Sequence, residues 1–215
     1  MFHTSEFEVV HLEHTANIIT LRGELNSLPE FSHENHGRIF LRFTLSVPRL
    51  SGTVDTLPII AEDRLLNEMD LSGGEMIAVT GQVRSHNLRT EDGRRLLIYV
   101  FASTLCAEDG DPVNEVTLEG PLCRTPTYRR TPLGREICDA MLAVKRTFHR
   151  ADYLPCILWG RTAQMVSTCQ IRDQIRIYGR LQSRGYTKIT DTGPVERTAY
   201  EISALTAEIL EDLER

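Results

Sequence analysis

The stretch IRIYGRLQSRGYTK, residues 175–188, places Ile175, Ile177 and Leu181 on one parity and Arg176, Tyr178, Arg180, Gln182, Arg184, Tyr186 and Lys188 on the other. Successive side chains of a β-strand point to opposite faces, so one parity is a core and the other a row of tyrosines and cations. The segment DYLPCILW, residues 152–159, repeats the arrangement, with Leu154, Cys156 and Leu158 opposite Tyr153, Pro155, Ile157 and Trp159. Bases stack on exposed aromatic rings at ~1–3 kcal/mol each, while guanidinium and ammonium groups take phosphates. Tyr153, Trp159, Tyr178 and Tyr186 with Arg180, Arg184 and Lys188 on one surface would suit a single-stranded nucleic acid, without a preference for any base.

Such a face needs a sheet to hold it, and the sequence specifies that sheet twice. NIITLRGEL from Asn17 matches NEVTLEGPL from Asn114, and the same offset pairs Pro29 with Pro126, Gly37 with Gly134, Arg49 with Arg146, Asp55 with Asp152 and Pro58 with Pro155. After one extra residue in the second copy, IAVTGQVRS (77–85) aligns with IRIYGRLQS (175–183). Each copy reads as a β-branched strand, a turn, two further strands, a short helix, the long strand quoted above and a last strand. The helix falls in GRTAQMVSTC in copy two and in EDRLLNEMD in copy one. Five strands with a helix between the third and fourth is the order of an OB-fold barrel. The expected class is all-β: two tandem five-stranded OB-fold barrels, over residues 1–108 and 113–215, joined by the polar stretch CAEDGDP.

The net charge of −6 over 215 residues hides an asymmetry. Residues 1–110 hold 9 arginines, no lysine and 16 acids, net −7, whereas residues 111–207 hold 14 basic residues against 10 acids, net +4. The distribution directs a polyanion to the second copy. No apolar run approaches the ~18–20 residues of a membrane helix, and the acidic start MFHTSEFEVV is unlike a signal peptide, so a cytoplasmic address is expected. The five cysteines lack CxxC spacing and fall in strands or core, which predicts packed thiols and no metal. No cofactor is expected.

The second copy resembles the bacterial single-stranded-DNA-binding protein family. NEVTLEGPL, the TPLG turn, LAVKR, DYLPCILWGRTAQ and YGRLQSRGY carry the resemblance in family order across most of residues 113–206. It implies Phe148, Tyr153, Trp159 and Tyr186 as base platforms, and Lys145, Arg146, Arg161, Arg180 and Arg184 as phosphate contacts. It also implies a homodimer presenting four barrels, since relatives assemble four. The family's flexible tail with an acidic tip has no counterpart before Arg215, so replication or repair partners are expected by another route.

At matching positions the first copy has Thr56 for Tyr153, Glu62 for Trp159, Thr80 for Tyr178 and Leu88 for Tyr186. Weak strand binding or none is expected of it, and its outward Met76, Ala78, Thr80 and Leu88 are candidates for an assembly surface. Other readings compete. Trp159 alone could be core, and Phe148, in the turn RTFHRAD, either offers a platform or folds back on the barrel. OB-folds also serve as RNA-binding or protein-interaction modules, including primosomal adaptors, a reading that suits copy one better than copy two. An enzyme would need Cys156 or Cys169 with His149, but strand parity buries Cys156, and no phosphate-binding loop, nucleophile elbow or catalytic carboxylate pair is present. Catalysis is not expected.

Overall fold

The computed structural model describes residues 16–67, 69–90, 93–147, 150–190 and 193–210. The first half contributes β1 (Asn17–Asn35), β2 (Arg38–Pro48), β3 (Val54–Glu62), β4 (Met76–Thr90) and β5 (Gly93–Ala107). The second contributes β6 (Val113–Pro121), β7 (Thr127–Arg130), β8 (Glu136–Arg146), β9 (Arg150–Trp159), α1 (Gly160–Ser167), β10 (Gln174–Thr190) and β11 (Gly193–Leu210). Alternation drives each strand inward on one parity: Leu57, Ile59 and Ala61 of β3 and Leu154, Cys156 and Leu158 of β9 are all buried.

Each half closes on itself. In the first, β1 pairs with both β2 and β4, and the ring completes through β3 and β5, with β3–β5 the parallel pair. In the second, β6–β10–β11–β9–β8 repeats that order with β11–β9 parallel, and a bridge between Leu122 and Leu142 shuts the seam. Where β1 runs unbroken for 19 residues, the second copy splits the same path into β6 and a short β7 on the edge of β8.

α1 covers one end of the second barrel with Ala163 and Val166 buried. The first copy departs from the expected helix: EDRLLNEMD forms only a 3-10 turn over Asp63–Leu65. Asn67 and Asp70 favour turns over helix. Downstream, the Glu75 carboxylate accepts bonds from the Ser72 amide and hydroxyl and from the Gly73 amide, which winds the segment into a tight loop. Leu66 alone of that turn is buried.

The two barrels are one continuous sheet. β1 and β6 pair antiparallel, centred on Ile19 opposite Val116, which are equivalent positions of the repeat, so a local two-fold relates the copies. Two buried carboxylates lock this arrangement reciprocally. Asp55, fully buried, accepts the Ser183 amide at 2.6 Å and its hydroxyl at 2.9 Å, while Arg49 binds both carboxylate oxygens at 2.7 and 2.5 Å and reaches the Ser183 carbonyl. Asp152, 1% exposed, accepts the Ser85 amide at 2.7 Å, with Arg146 at 3.6 Å. Each carboxylate thus caps a strand of the other barrel.

Candidate nucleic-acid interface

The outward parity of β9 carries Tyr153, Pro155, Ile157 and Trp159; Tyr153 is 45% and Trp159 37% exposed. Their separation along one strand is roughly 20 Å at ~3.4 Å per residue. On one flank β8 sets Ala143 opposite Tyr153 and Lys145 opposite Ala151, so exposed Lys145 stands at the Tyr153 end of the same face. On the other flank β11 brings Ser203 beside Ile157, and the Trp159 Nε1–H donates to the Ser203 hydroxyl at 3.3 Å. β10 comes next: Arg180 lies opposite Ser203, Gln182 opposite Glu201, Arg184 opposite Ala199, Tyr186 opposite Arg197 and Lys188 opposite Val195. Tyr153, Trp159, Tyr186, Lys145, Arg180, Arg184 and Lys188 therefore share one outer surface spread over β8, β9, β11 and β10.

Charge and ring are coupled on that surface. The Arg184 guanidinium lies 6.0 Å from the Tyr186 ring centroid and 3.9 Å from Glu201, and the Nε of Arg180 is buried with no hydrogen-bond partner. Beside Trp159 a hollow is lined by Arg130, Arg135 and Glu136 from the β7–β8 hairpin, two cations that strand parity in the long strand did not reveal. Arg161 is exposed at the start of α1, just beyond Trp159.

Three sequence candidates fall differently. Arg146 is spent on the buried Asp152, as Arg49 is on Asp55, so its first role is the barrel junction. Tyr178 points outward, but between Thr117 of β6 and Thr206 of β11, on the parity of Arg176, which is held by Glu119; a bulge at Tyr178/Gly179 separates it from the part of β10 facing β9. Phe148 lies outside the described residues. Cys156, weighed as a nucleophile, is buried, and that burial pushes its thiol far above the ordinary range; Cys138 is driven up to about 11 by the same cause.

The first barrel presents a different surface. Glu62, in the place of Trp159, pairs with Arg64 at 2.9 Å and Arg38 at 3.8 Å. Next to it His33 stacks on Phe40 at 4.8 Å, Phe40 contacts Phe101 at 5.7 Å, and Arg84 lies over Phe101 at 5.2 Å. The aromatic residues there are consumed by one another. Matching only the platform positions missed this cluster, because Phe101 stands where the second barrel has Ser203. Met76, Ala78 and Thr80 are half-buried on the outward side of β4, and Leu88 is exposed further out.

One further feature joins the halves. The β4–β5 hairpin of the first barrel lies against the outer face of the second, with the Tyr153 amide donating to the Ser85 hydroxyl at 2.8 Å. Between the hairpins β4–β5 and β10–β11 runs a groove whose lining includes Arg94, Arg95, Tyr186, Lys188, Arg197 and Tyr200, over a floor that includes Ile98 and Pro155.

Two closed five-stranded barrels in tandem, one of them with rings and cations across an outer sheet face, define a double OB-fold protein. Residues 113–210 match the single-strand binding protein family. Over 80 residues the chain is 36% identical to single-stranded DNA-binding protein B of Bacillus subtilis, covering 34% of this chain and 71% of that one. The chain belongs to the single-strand binding protein family. It is 37% identical over 81 residues to single-stranded DNA-binding protein 1 of Staphylococcus aureus, of which it spans about half, 48%. The Deinococcus radiodurans single-stranded DNA-binding protein aligns over 167 residues at 25% identity, 66% of this chain and 54% of that one. The wild-type single-stranded DNA binding protein of Thermus aquaticus superposes with a TM-score of 0.75 at 22% identity, covering 91% of this chain and 93% of that one, a likeness of fold.

Proposed function

We propose that this protein binds and protects single-stranded DNA without sequence preference, through the outer face of its second barrel, in replication, recombination or repair. The observation that carries the reading is the common surface of Tyr153, Trp159 and Tyr186 with Lys145, Arg180 and Arg184. Bases stack on the rings and phosphates pair with the cations, so affinity falls steeply with salt, with a slope of ~−0.7 per phosphate contacted. The protein acts by binding and does not catalyse a reaction. Family membership and the net positive charge of residues 111–207 support this assignment.

The first barrel serves assembly and positioning, and two chains pair to present four barrels. Supporting this division are the ion pairs that occupy the Trp159-equivalent Glu62 and the outward side of β1 and β4, where Ile18 is 38% exposed. The working place is the cytoplasm; among the described residues no helix is long and apolar enough to cross a membrane.

Because Trp159 is the chain's one tryptophan, its fluorescence reports directly on the face. Titration with oligothymidine is expected to quench it strongly, less so at higher salt, with no response to duplex. An unchanged signal together with no retention of labelled oligothymidine on filters would sink the assignment.

A further inference from the structure

The groove between the two long hairpins has a composition unlike the rest of the first barrel. Its lining includes Arg94 and Arg95 from β5, Lys188 from β10 and Arg197 from β11, with Tyr186 and Tyr200 as rings and no acid among the described residues; Glu196 borders the adjoining hollow that Arg95 and Arg197 share. Residues 1–110 carry net −7, so two adjacent arginines from that half, turned onto the tyrosine proposed as a base platform, run against the charge of their own domain. Neither Arg94 nor Arg95 is in an ion pair among the described residues, whereas Arg38 and Arg42 of the same barrel are tied to Glu62 and Glu30. Glu91 and Asp92, between β4 and β5 in sequence, lie outside the described residues.

The position is set by the junction. The Ser85 hydroxyl holds the Tyr153 amide, and Asp152 holds the Ser85 amide, so β4 is fixed beside β9 and its partner β5 follows. Pro155, midway between Tyr153 and Ile157 on the outward parity of β9, then forms floor of the groove together with Ile98 of β5. A strand leaving Tyr153 towards Tyr186 has to run over this floor, with β5 as its wall. Cations placed along such a wall suit phosphodiester oxygens.

We infer that the first barrel contributes Arg94 and Arg95 to the strand-binding path, as phosphate contacts along an inter-barrel groove that continues the face of the second barrel past Tyr186. The inference rests on the proposed function. The first barrel thereby takes part in binding without any base platform of its own: its hairpin supplies charge and the second barrel supplies stacking. The ligand class is a single-stranded phosphodiester long enough to leave the β9 face.

The test uses the full chain with Arg94→Gln and Arg95→Gln together, titrated with long oligothymidine across a salt series. Loss of two phosphate contacts makes the slope of log affinity against log salt shallower by ~1.4, at ~0.7 per contact. The control is Arg38→Gln with Arg42→Gln, the same change of charge on the same barrel away from the groove, for which the slope stays that of the unmodified chain. An unchanged slope in the first variant, or an equal change in both, overturns the groove while leaving the second barrel's role intact. Absence of binding by the unmodified chain overturns the proposed function itself, and this inference with it.

Discussion

Trp159 shows how one side chain is divided between fold and function. Its indole N–H is engaged by Ser203, which fixes the ring, while 37% of the residue stays open to solvent. Tyr186 is similar, 36% exposed and flanked by Arg184. A ring held at its edge and free on a face is pre-organised for stacking, so little rotamer entropy is lost when a base arrives. Replacing both Trp159 and Tyr186 by Ala is expected to weaken oligothymidine binding at least about 30-fold, from ~1 kcal/mol or more per stacked base. The urea midpoint should move little, since neither ring is core. A variant that binds as tightly as the parent would place the strand elsewhere.

At the level of elements, the long strands β4 and β10 work because each passes a tight point at a glycine. A Cβ on Gly179 would lie 2.3 Å from the Ser203 carbonyl oxygen, and one on Gly81 would lie 2.2 Å from that of Phe101, equivalent sites beside the bulges of β10–β11 and β4–β5. The backbone cannot yield there without breaking the ladder. Gly179→Ala is expected to destabilise the second barrel by about 3 kcal/mol or more and to detach Ser203 from Trp159, because overpacking against backbone has no rotamer escape. Thermal unfolding followed by tryptophan fluorescence checks this, and a melting point within a degree of the parent's would contradict it. Gly185, further along β10, has open space at its Cβ position and makes a suitable comparison.

For the whole molecule, the reciprocal carboxylates decide whether two barrels behave as one body. Burial pushes Asp55 up, but Arg49 and the Ser183 amide and hydroxyl outweigh it, and its carboxyl ends below the ordinary 3.8. Burial dominates at Asp152, which ends above 3.8 despite the Ser85 bonds and Arg146. The signs are opposite. Asp55 contributes stability that is complete above the unfolded value near 3.8 and lost as pH falls through its lower folded value. Asp152 opposes folding in its charged form, so protonating it, which begins above 3.8, relieves a cost. Asp55→Asn is therefore expected to cost about 3 kcal/mol at pH 7, as when one member of a buried pair is removed, and Asp152→Asn distinctly less. Urea unfolding of both variants at pH 7 and at pH 4 measures this, and equal losses at pH 7 would refute the asymmetry.

Much of this was legible in the residues. Period-two alternation fixed which side of β9 and β10 faces the core, because a strand cannot place Leu154 inward without placing Tyr153 and Trp159 outward. The repeat at Asn17 and Asn114 predicted two barrels, and it already matched Arg49 with Arg146, Asp55 with Asp152 and Ser85 with Ser183. That each aspartate caps the serine of the other copy was not legible, since a repeat is silent on which copy a buried carboxylate will face. The helix expected of EDRLLNEMD stops at one 3-10 turn over Asp63–Leu65, because Asn67 and Asp70 favour turns and the Glu75 carboxylate ties Ser72 and Gly73 into a loop just beyond it. In sequence Arg94 and Arg95 are two charges in an acidic half, with no alternation that assigns them a face. Only the antiparallel docking of β1 on β6, and with it the placement of one barrel's hairpin along the other's binding face, turned them towards Tyr186. Local alternation sets the face of a strand; which faces meet is decided by contacts between residues far apart in the chain.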